Sequence, residues 1–211
     1  MPALLVVDMF RGTKVTSFAD AKNAGLVGII HKASQGTSVT DSRYAERRDA
    51  ARAAGLLWGA YHFATGESVD DQIENFMGAA EPDGDTLMAL DFEPNNGNGG
   101  TMSVSQARDF LGKLGAKLGR KPVIYSGALI KDKLGNTADA FFGAHRLWLA
   151  QYGPTPKVQK SWQSFWLWQY SGDGVGPGPH DCSGIPGNSA GKIDCNTYAG
   201  SPAQLAAEWA S

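Results

Sequence analysis

Two carboxylates two residues apart, Asp91 and Glu93, close an apolar run, Leu87-Met88-Ala89-Leu90, that Pro94 stops. A run this short with turn residues beyond it reads as a buried strand ending in a loop. Strand side chains alternate between faces, so Asp91 and Glu93 point one way and Phe92 the other. Such a pair suits cleavage of a glycosidic bond: one carboxyl protonates the leaving oxygen, and a second group stabilises the positive charge growing on the sugar. Alone, an Asp-x-Glu at a strand end is also an ordinary loop start or salt-bridge partner. The elements around it have to decide.

Eight strand-like runs recur along the chain: Leu4–Asp8, Val27–Lys32, Leu57–Phe63, Leu87–Asp91, Pro122–Ser126, Leu147–Tyr152, Phe165–Tyr170 and Lys192–Cys195. Helix-like stretches separate the first five, at Ser17–Ala24, Ser42–Ala54, Val69–Ala80 and Ser103–Leu118, with Ser103 placed to cap a start and Gly55 or Gly119 to end a helix. The alternation predicts βα units on a parallel sheet, an α/β barrel. After the fifth strand the helices thin to short stretches at Ala128–Leu134 and Ala138–Ala144. In a closed barrel the reactive face is the C-terminal one. Its strand ends carry Asp8, Lys32 with Ser34, Tyr61 and His62, Asp91 and Glu93, Tyr125, Gln151, Gln169 and Asp194.

The chain has 211 residues, 42% of them hydrophobic, enough for one core, and residues 1–211 are expected to form one domain. With 19 basic and 21 acidic residues it offers no field for nucleic acid and no polybasic membrane patch. Six Trp and six Tyr supply flat faces that suit sugars or fill a core. The opening Met-Pro-Ala-Leu-Leu-Val-Val-Asp has no basic region, and its apolar run is too short for a signal peptide or a membrane helix.

Seven ordered motifs carry a resemblance over Asp8 to about Tyr198. They are Gly28-Ile29-Ile30-His31-Lys32-Ala33-Ser34-Gln35-Gly36, Gly59-Ala60-Tyr61-His62-Phe63, Leu90-Asp91-Phe92-Glu93, Pro122-Val123-Ile124-Tyr125-Ser126, Leu147-Trp148-Leu149-Ala150-Gln151-Tyr152, Trp168-Gln169-Tyr170-Ser171 and Ile193-Asp194-Cys195-Asn196. In this order they resemble glycoside hydrolase family 25, the Chalaropsis-type N-acetylmuramidases of phage endolysins and bacterial autolysins. Two features depart from that family: Gln35 stands where an acidic residue is usual, and Met9-Phe10-Arg11-Gly12 follows Asp8 in place of a Ser and a Gln-Gly.

The resemblance implies an irregular, flattened TIM-like barrel of eight strands and about five helices. It implies hydrolysis of the β-1,4 bond between N-acetylmuramic acid and N-acetylglucosamine in peptidoglycan, with no cofactor or metal and with a monomer expected. Glu93 is then the general acid and later the base. Asp91 either attacks the anomeric carbon or, as favoured here, orients the substrate's own 2-acetamido group, which gives retention. Asp8, Tyr61, His62, Tyr125, Trp148, Gln151, Trp168 and Asp194 are the expected substrate contacts. Synthesis in a host cytoplasm and release onto the bacterial cell wall, as for an endolysin, is the expected route.

Three other readings compete. A metal-dependent barrel hydrolase could draw on His31, His62, Asp8, Asp91, Glu93 and Asp194, but His31 should face away from Lys32 and no His-x-His or His-Glu-x-x-His run occurs. A non-catalytic glycan-binding relative would be expected to lack Glu93. A chitinase-like barrel would carry further Asp residues where this chain has Thr86 and Ala89. The two cysteines, Cys182 in the Gly/Pro-rich segment Ser171–Ala190 and Cys195 on the last strand, are expected to form a disulfide, worth roughly 3 kcal/mol by loop closure.

Overall fold

Alternation along the strands sorts the apolar side chains into two cores, one inside a barrel and one around it. A computed structural model describes residues 3–211; Met1 and Pro2, where the opening segment read above for a leader begins, lie outside them. In chain order the elements are β1 (Val6–Met9), α1 (Phe18–Asn23), β2 (Gly28–Gln35), β3 (Val39–Thr40), α2 (Tyr44–Ala53), β4 (Leu57–Phe63), α3 (Val69–Ala80) and β5 (Leu87–Asp91). There follow α4 (Val104–Leu118), β6 (Val123–Ser126), α5 (Ala128–Leu134), α6 (Ala140–Gly143), β7 (Leu147–Ala150), β8 (Leu167–Ser171), β9 (Asp194–Tyr198) and α7 (Pro202–Glu208).

Pairing runs β1-β9-β8-β7-β6-β5-β4-β2, and β1 also pairs with β2, so eight strands close a barrel while β3 is a short hairpin partner on β2. Six of the eight barrel pairings are parallel. The expectation of a wholly parallel sheet fails at β9, which is antiparallel to both β8 and β1. The segment between β8 and β9 carries no crossover helix, so the chain returns at the same barrel end where β8 stops. Asp194 therefore stands at the start of its strand, yet at the same rim as the C-terminal ends of the others. Among the described residues seven helices form, against about five implied by the resemblance and six helix-like stretches in the sequence pattern; the one that the pattern lacked is α7.

Inside the barrel sit Val6, Ile30, Leu87, Ala89, Val123, Trp148 and Leu167, stoppered at the base by Leu205 and Trp209 of the C-terminal segment. The Trp209 indole donates to the Trp58 carbonyl at 2.8 Å. Between barrel and helices lie Val7, Ile29, Trp58, Met88, Leu90, Ile124 and Leu149, covered by the helix faces. α4 buries Ala107, Phe110, Leu111 and Leu114, the i, i+3, i+4, i+7 stripe of a helix laid on a sheet. It begins with a Ser103/Gln106 capping box and ends at Gly119 in the left-handed region. α3 starts at Ser68 with Asp70 and Asp71 in its first turn, where the helix dipole favours negative charge. No helix among the described residues is long and apolar enough to cross a membrane.

Candidate active site

The inward-facing positions of three strands deliver four carboxylates to one rim. Asp8 of β1 and Asp194 of β9 are register partners, and Asp91 of β5 is paired with Tyr125 of β6 on one side and Phe63 of β4 on the other. Glu93 lies one alternation beyond Asp91. The intervening Phe92 is fixed to β6 from both sides: its N–H donates to the Tyr125 carbonyl at 2.9 Å, and its carbonyl accepts from the Ser126 hydroxyl at 2.7 Å. With the Phe92 ring fully buried outside the barrel, the backbone has one way to aim Glu93.

Burial dominates the electrostatics. The Asp8 carboxylate accepts from Gln169 Nε2 through both oxygens, at 2.9 and 3.0 Å, and from Asn196 Nδ2 at 2.6 Å. Even so, desolvation raises it to about 6. Asp194, desolvated and beside the charge of Asp8, rises to about 8. Asp91 goes well above the carboxylate range, first by burial and then by the charge of Glu93, which its carboxyl meets. Glu93 is raised by burial, partly offset by the neighbouring Asp91 carboxyl and Tyr125 hydroxyl. Two touching carboxyls in such a place hold a proton between them. Asp91 Oδ1 is buried without a hydrogen-bond partner in the protein.

Three further expected contacts reach this mouth. The Tyr125 hydroxyl donates to Gln169 Oε1 at 2.8 Å. Tyr61 faces inward, its hydroxyl kept protonated by burial and by the charges of Asp91, Asp8 and Asp194. Gln151 lines a cavity of about 230 Å³ with Phe92, Glu93, Tyr125, Tyr152 and Gln169, and is held by Lys131 Nζ at 2.6 Å and the Thr155 carbonyl at 2.8 Å.

Three others do not. His62, next along β4 from Tyr61, points out of the barrel: its ring is fully buried, hydrogen-bonded to Ser34 Oγ at 2.8 Å and Gln72 Oε1 at 3.1 Å, and stacked on Phe110. Adjacent strand residues cannot share a face, so Tyr61 and His62 could not both have been contacts. Trp168 also points outward and donates to the Gln151 carbonyl at 2.7 Å, packed against Phe165 and Tyr170. Trp148 does lie inside, but beneath the mouth, where it is 1% exposed, bonded to Asn196 Oδ1 at 2.6 Å and edge-on to Tyr125 at 4.4 Å. It supports Tyr125 and offers no face to a sugar.

The expected disulfide is not formed. Cys182 and Cys195 are free thiols. Cys182 lies in a tight turn closed by Ile185 N–H on its own carbonyl, with Sγ toward the Ser183 carbonyl at 3.6 Å; Cys195 is buried between barrel and helices, with Sγ toward the Ile193 carbonyl at 3.7 Å.

Gln169 was expected at the rim but not as a substrate contact, and Asn196 and Tyr152 were not expected as site residues. Gln169 and Asn196 hold Asp8, and the signal was present: Asn196 is two residues from Asp194 and so shares its face. Tyr152 is 41% exposed at the rim. A Cβ on Gly172 would collide with its hydroxyl and come within 2.7 Å of Asp194 Oδ1, so only glycine lets these two approach.

The histidines of the metal reading face away from the mouth. His31 donates from Nδ1 to the Lys32 carbonyl at 2.7 Å and accepts from Arg47 at Nε2, 3.1 Å, so both nitrogens are taken, as they are in His62. Among the described residues no three His, Cys, Asp or Glu side chains are grouped as a metal would need.

The sequence profile of "Glycosyl hydrolases family 25" matches residues 7–179. The chain belongs to this family. Within family 25 the folding pattern recurs closely: a bacterial lysozyme from Streptomyces coelicolor superimposes with a TM-score of 0.81 at 28% identity, covering 97% of this chain and 96% of that one. Lysozyme M1 of Streptomyces globisporus is 27% identical over 204 residues, 90% of this chain and 66% of its own. The autolytic lysozyme of Clostridium acetobutylicum is 29% identical over 171 residues, 80% of this chain and 50% of its own. The chain thus spans between half and two thirds of the length of these two curated relatives. Asp194 and Asn196 fall beyond the matched family 25 segment, yet close the same ring of carboxylates.

Proposed function

We propose that this protein is a lysozyme that hydrolyses the β-1,4 bond between N-acetylmuramic acid and N-acetylglucosamine in peptidoglycan, acting as a monomer on the bacterial cell wall. Its similarity to the lysozymes above supports the substrate class. The observation that carries the residue roles is Asp91 Oδ1, a buried acceptor with no donor in the protein, beside a second carboxyl whose affinity for a proton burial raises. An acceptor left this way is costly unless a ligand donor completes it. The N–H of the sugar's 2-acetamido group is such a donor.

In this reading the substrate's acetamido N–H, donated to Asp91, leaves the proton shared by the pair on Glu93, which gives it to the glycosidic oxygen as the C–O bond breaks. The acetamido carbonyl oxygen attacks the anomeric carbon from the opposite face and forms a cyclic intermediate. Asp91 accepts the acetamido N–H and balances the positive charge on the ring. Glu93, now a carboxylate, takes a proton from the water that opens this ring. Two inversions leave the β configuration. Tyr61, held neutral, is the available donor to a sugar oxygen, while Tyr125, whose proton goes to Gln169, fixes that side of the mouth through the Asp8–Gln169–Tyr125 chain.

Mass spectrometry of fragments released from purified peptidoglycan tests this assignment. New reducing ends of N-acetylmuramic acid are expected. Reducing ends of N-acetylglucosamine would overturn the reading.

A further inference from the structure

A second, larger depression, a cleft of about 710 Å³, lies between the loop that follows β1 and helix α2. Its charged lining is Arg11, Lys14, Arg43, Arg47 and Glu46, three more cations than anions are needed to cancel. Two of these cations are spent inside the protein. Arg47 donates to the Phe10 carbonyl at 2.9 Å, to the Thr13 carbonyl at 2.5 Å and to His31, and Arg43 pairs with Glu46 at 3.0 Å. Among the described residues, neither the Arg11 guanidinium nor the Lys14 ammonium has a carboxylate at ion-pair distance. Both are exposed.

These free cations sit on a stiff support. Arg47 clamps the loop by two carbonyls. Asp41 accepts the Arg11 N–H at 2.8 Å, and the Lys14 N–H donates to the Gly187 carbonyl at 2.6 Å. Asp41 also takes the Arg43 N–H at 3.0 Å, so its charge is turned to backbone donors. The loop leaves β1 at the rim that carries Asp8, and Arg11 stands three residues beyond that acid. The Arg11 end of the cleft thus lies at the rim that carries the carboxylates. At the first strand's end the usual Ser and Gln-Gly of the family are here Met9-Phe10-Arg11-Gly12, so Arg11 belongs to this chain's own departure from the pattern.

We propose that this cleft binds the stem peptide of the muramic acid being cut, with Arg11 and Lys14 taking its free carboxylates. The proposal rests on the lysozyme reading of the site. A muramyl residue at Asp91 and Glu93 carries its peptide on the lactyl side arm, so the peptide must leave the mouth over a neighbouring surface. A covalently tethered anion reaches an adjacent basic cleft at high effective concentration. That favours the peptide over an anionic wall polymer, which has no fixed position relative to the scissile bond.

The test compares defined, teichoic-acid-free glycan fragments whose stem carboxylates are free with the same fragments amidated. Wild type should cut the free-carboxylate form with a kcat/KM about tenfold higher at low ionic strength, the yield of two exposed ion pairs, and the preference should shrink with added salt. Arg11→Gln/Lys14→Gln should cut both forms alike, Arg11→Glu/Lys14→Glu should prefer the amidated one, and Arg11→Lys should keep the preference. Unchanged thermal melting of each variant excludes a folding defect. Equal cleavage of both forms by wild type, or a preference that survives in the double Gln variant, would overturn the proposal. So would a loss seen only on native walls and abolished by stripping their teichoic acid, which would assign the cleft to that polymer. Failure of wild type to cut either fragment would instead count against the lysozyme reading itself.

Discussion

Asp8 and Asp194 stand opposite each other across the antiparallel seam that joins the first and last strands, and the charge of Asp8 raises the affinity of Asp194 for a proton. Closing the barrel with a reversed strand is what brings these two acids to one rim. Neither has a cation against it; Asp8 is held by two side-chain amides and Asp194 faces the Tyr152 side chain.

That pairing makes stability depend on pH with a definite sign. Asp194 has a folded value of about 8 against 3.8 unfolded, so between these limits the folded state holds the extra proton and stability falls as pH rises. Buried His31 and His62, both lowered to about 4, act oppositely and lose stability as pH falls below about 6.5. Above about 7.5 the histidines are neutral in both states and only the acids remain. The melting temperature should therefore decline from about pH 7.5 to about 8.5, and Asp194→Asn should flatten that decline. A flat wild-type profile over this range would refute the sign.

Gln169 is the hinge of the polar network, donating to Asp8 and accepting from Tyr125. Gln169→Leu should cost about 2 kcal/mol by leaving both partners short of a hydrogen bond. Gln169→Glu, nearly isosteric, should be more harmful at pH 7 than at pH 5, because it puts a new carboxylate against Asp8 just where Asp8 ionises. Melting curves at the two pH values decide it; equal losses would mean that the amide is only filling space.

Much of this site was legible in the chain. The i, i+2 spacing of Asp91 and Glu93 fixes a shared face whatever the fold, and the barrel pattern brings Asp8, Tyr125 and Gln151 to the same rim. Strand direction is not written in hydrophobic alternation, so the reversal of β9 was not readable, although its consequence, Asp194 beside Asp8, was. Applied strictly, alternation would have excluded His62 and Trp168 and admitted Gln169 and Asn196. Ser201-Pro202 with Gln204 three residues on from Ser201 was a readable helix start, confirmed as the capping box of α7. The two-residue β3 carries too little pattern to be seen. The depth of Trp148 depends on how far the barrel fills, which only tertiary packing settles.

The cysteines offer an independent check on the last segment. Burial pushes Cys182 to about 11 and Cys195 to about 12, so both are poor nucleophiles at neutral pH. In native protein, alkylation of Cys182 should be slow and that of Cys195 should require unfolding, with both labelled once denatured. A cross-linked Cys182–Cys195 peptide in non-reducing maps would contradict the free-thiol structure.

The most direct measurement is the turnover of Glu93→Gln on purified peptidoglycan. The amide preserves shape but has no acidic proton to give the leaving oxygen, so kcat should fall by at least about a hundredfold while circular dichroism and melting stay near wild type. Asp91→Asn, which removes the charge that steadies the cyclic intermediate, should fall comparably. Near-wild-type lysis by a folded Glu93→Gln protein would show that the acid lies elsewhere and that the Asp91/Glu93 pair is not the catalytic centre.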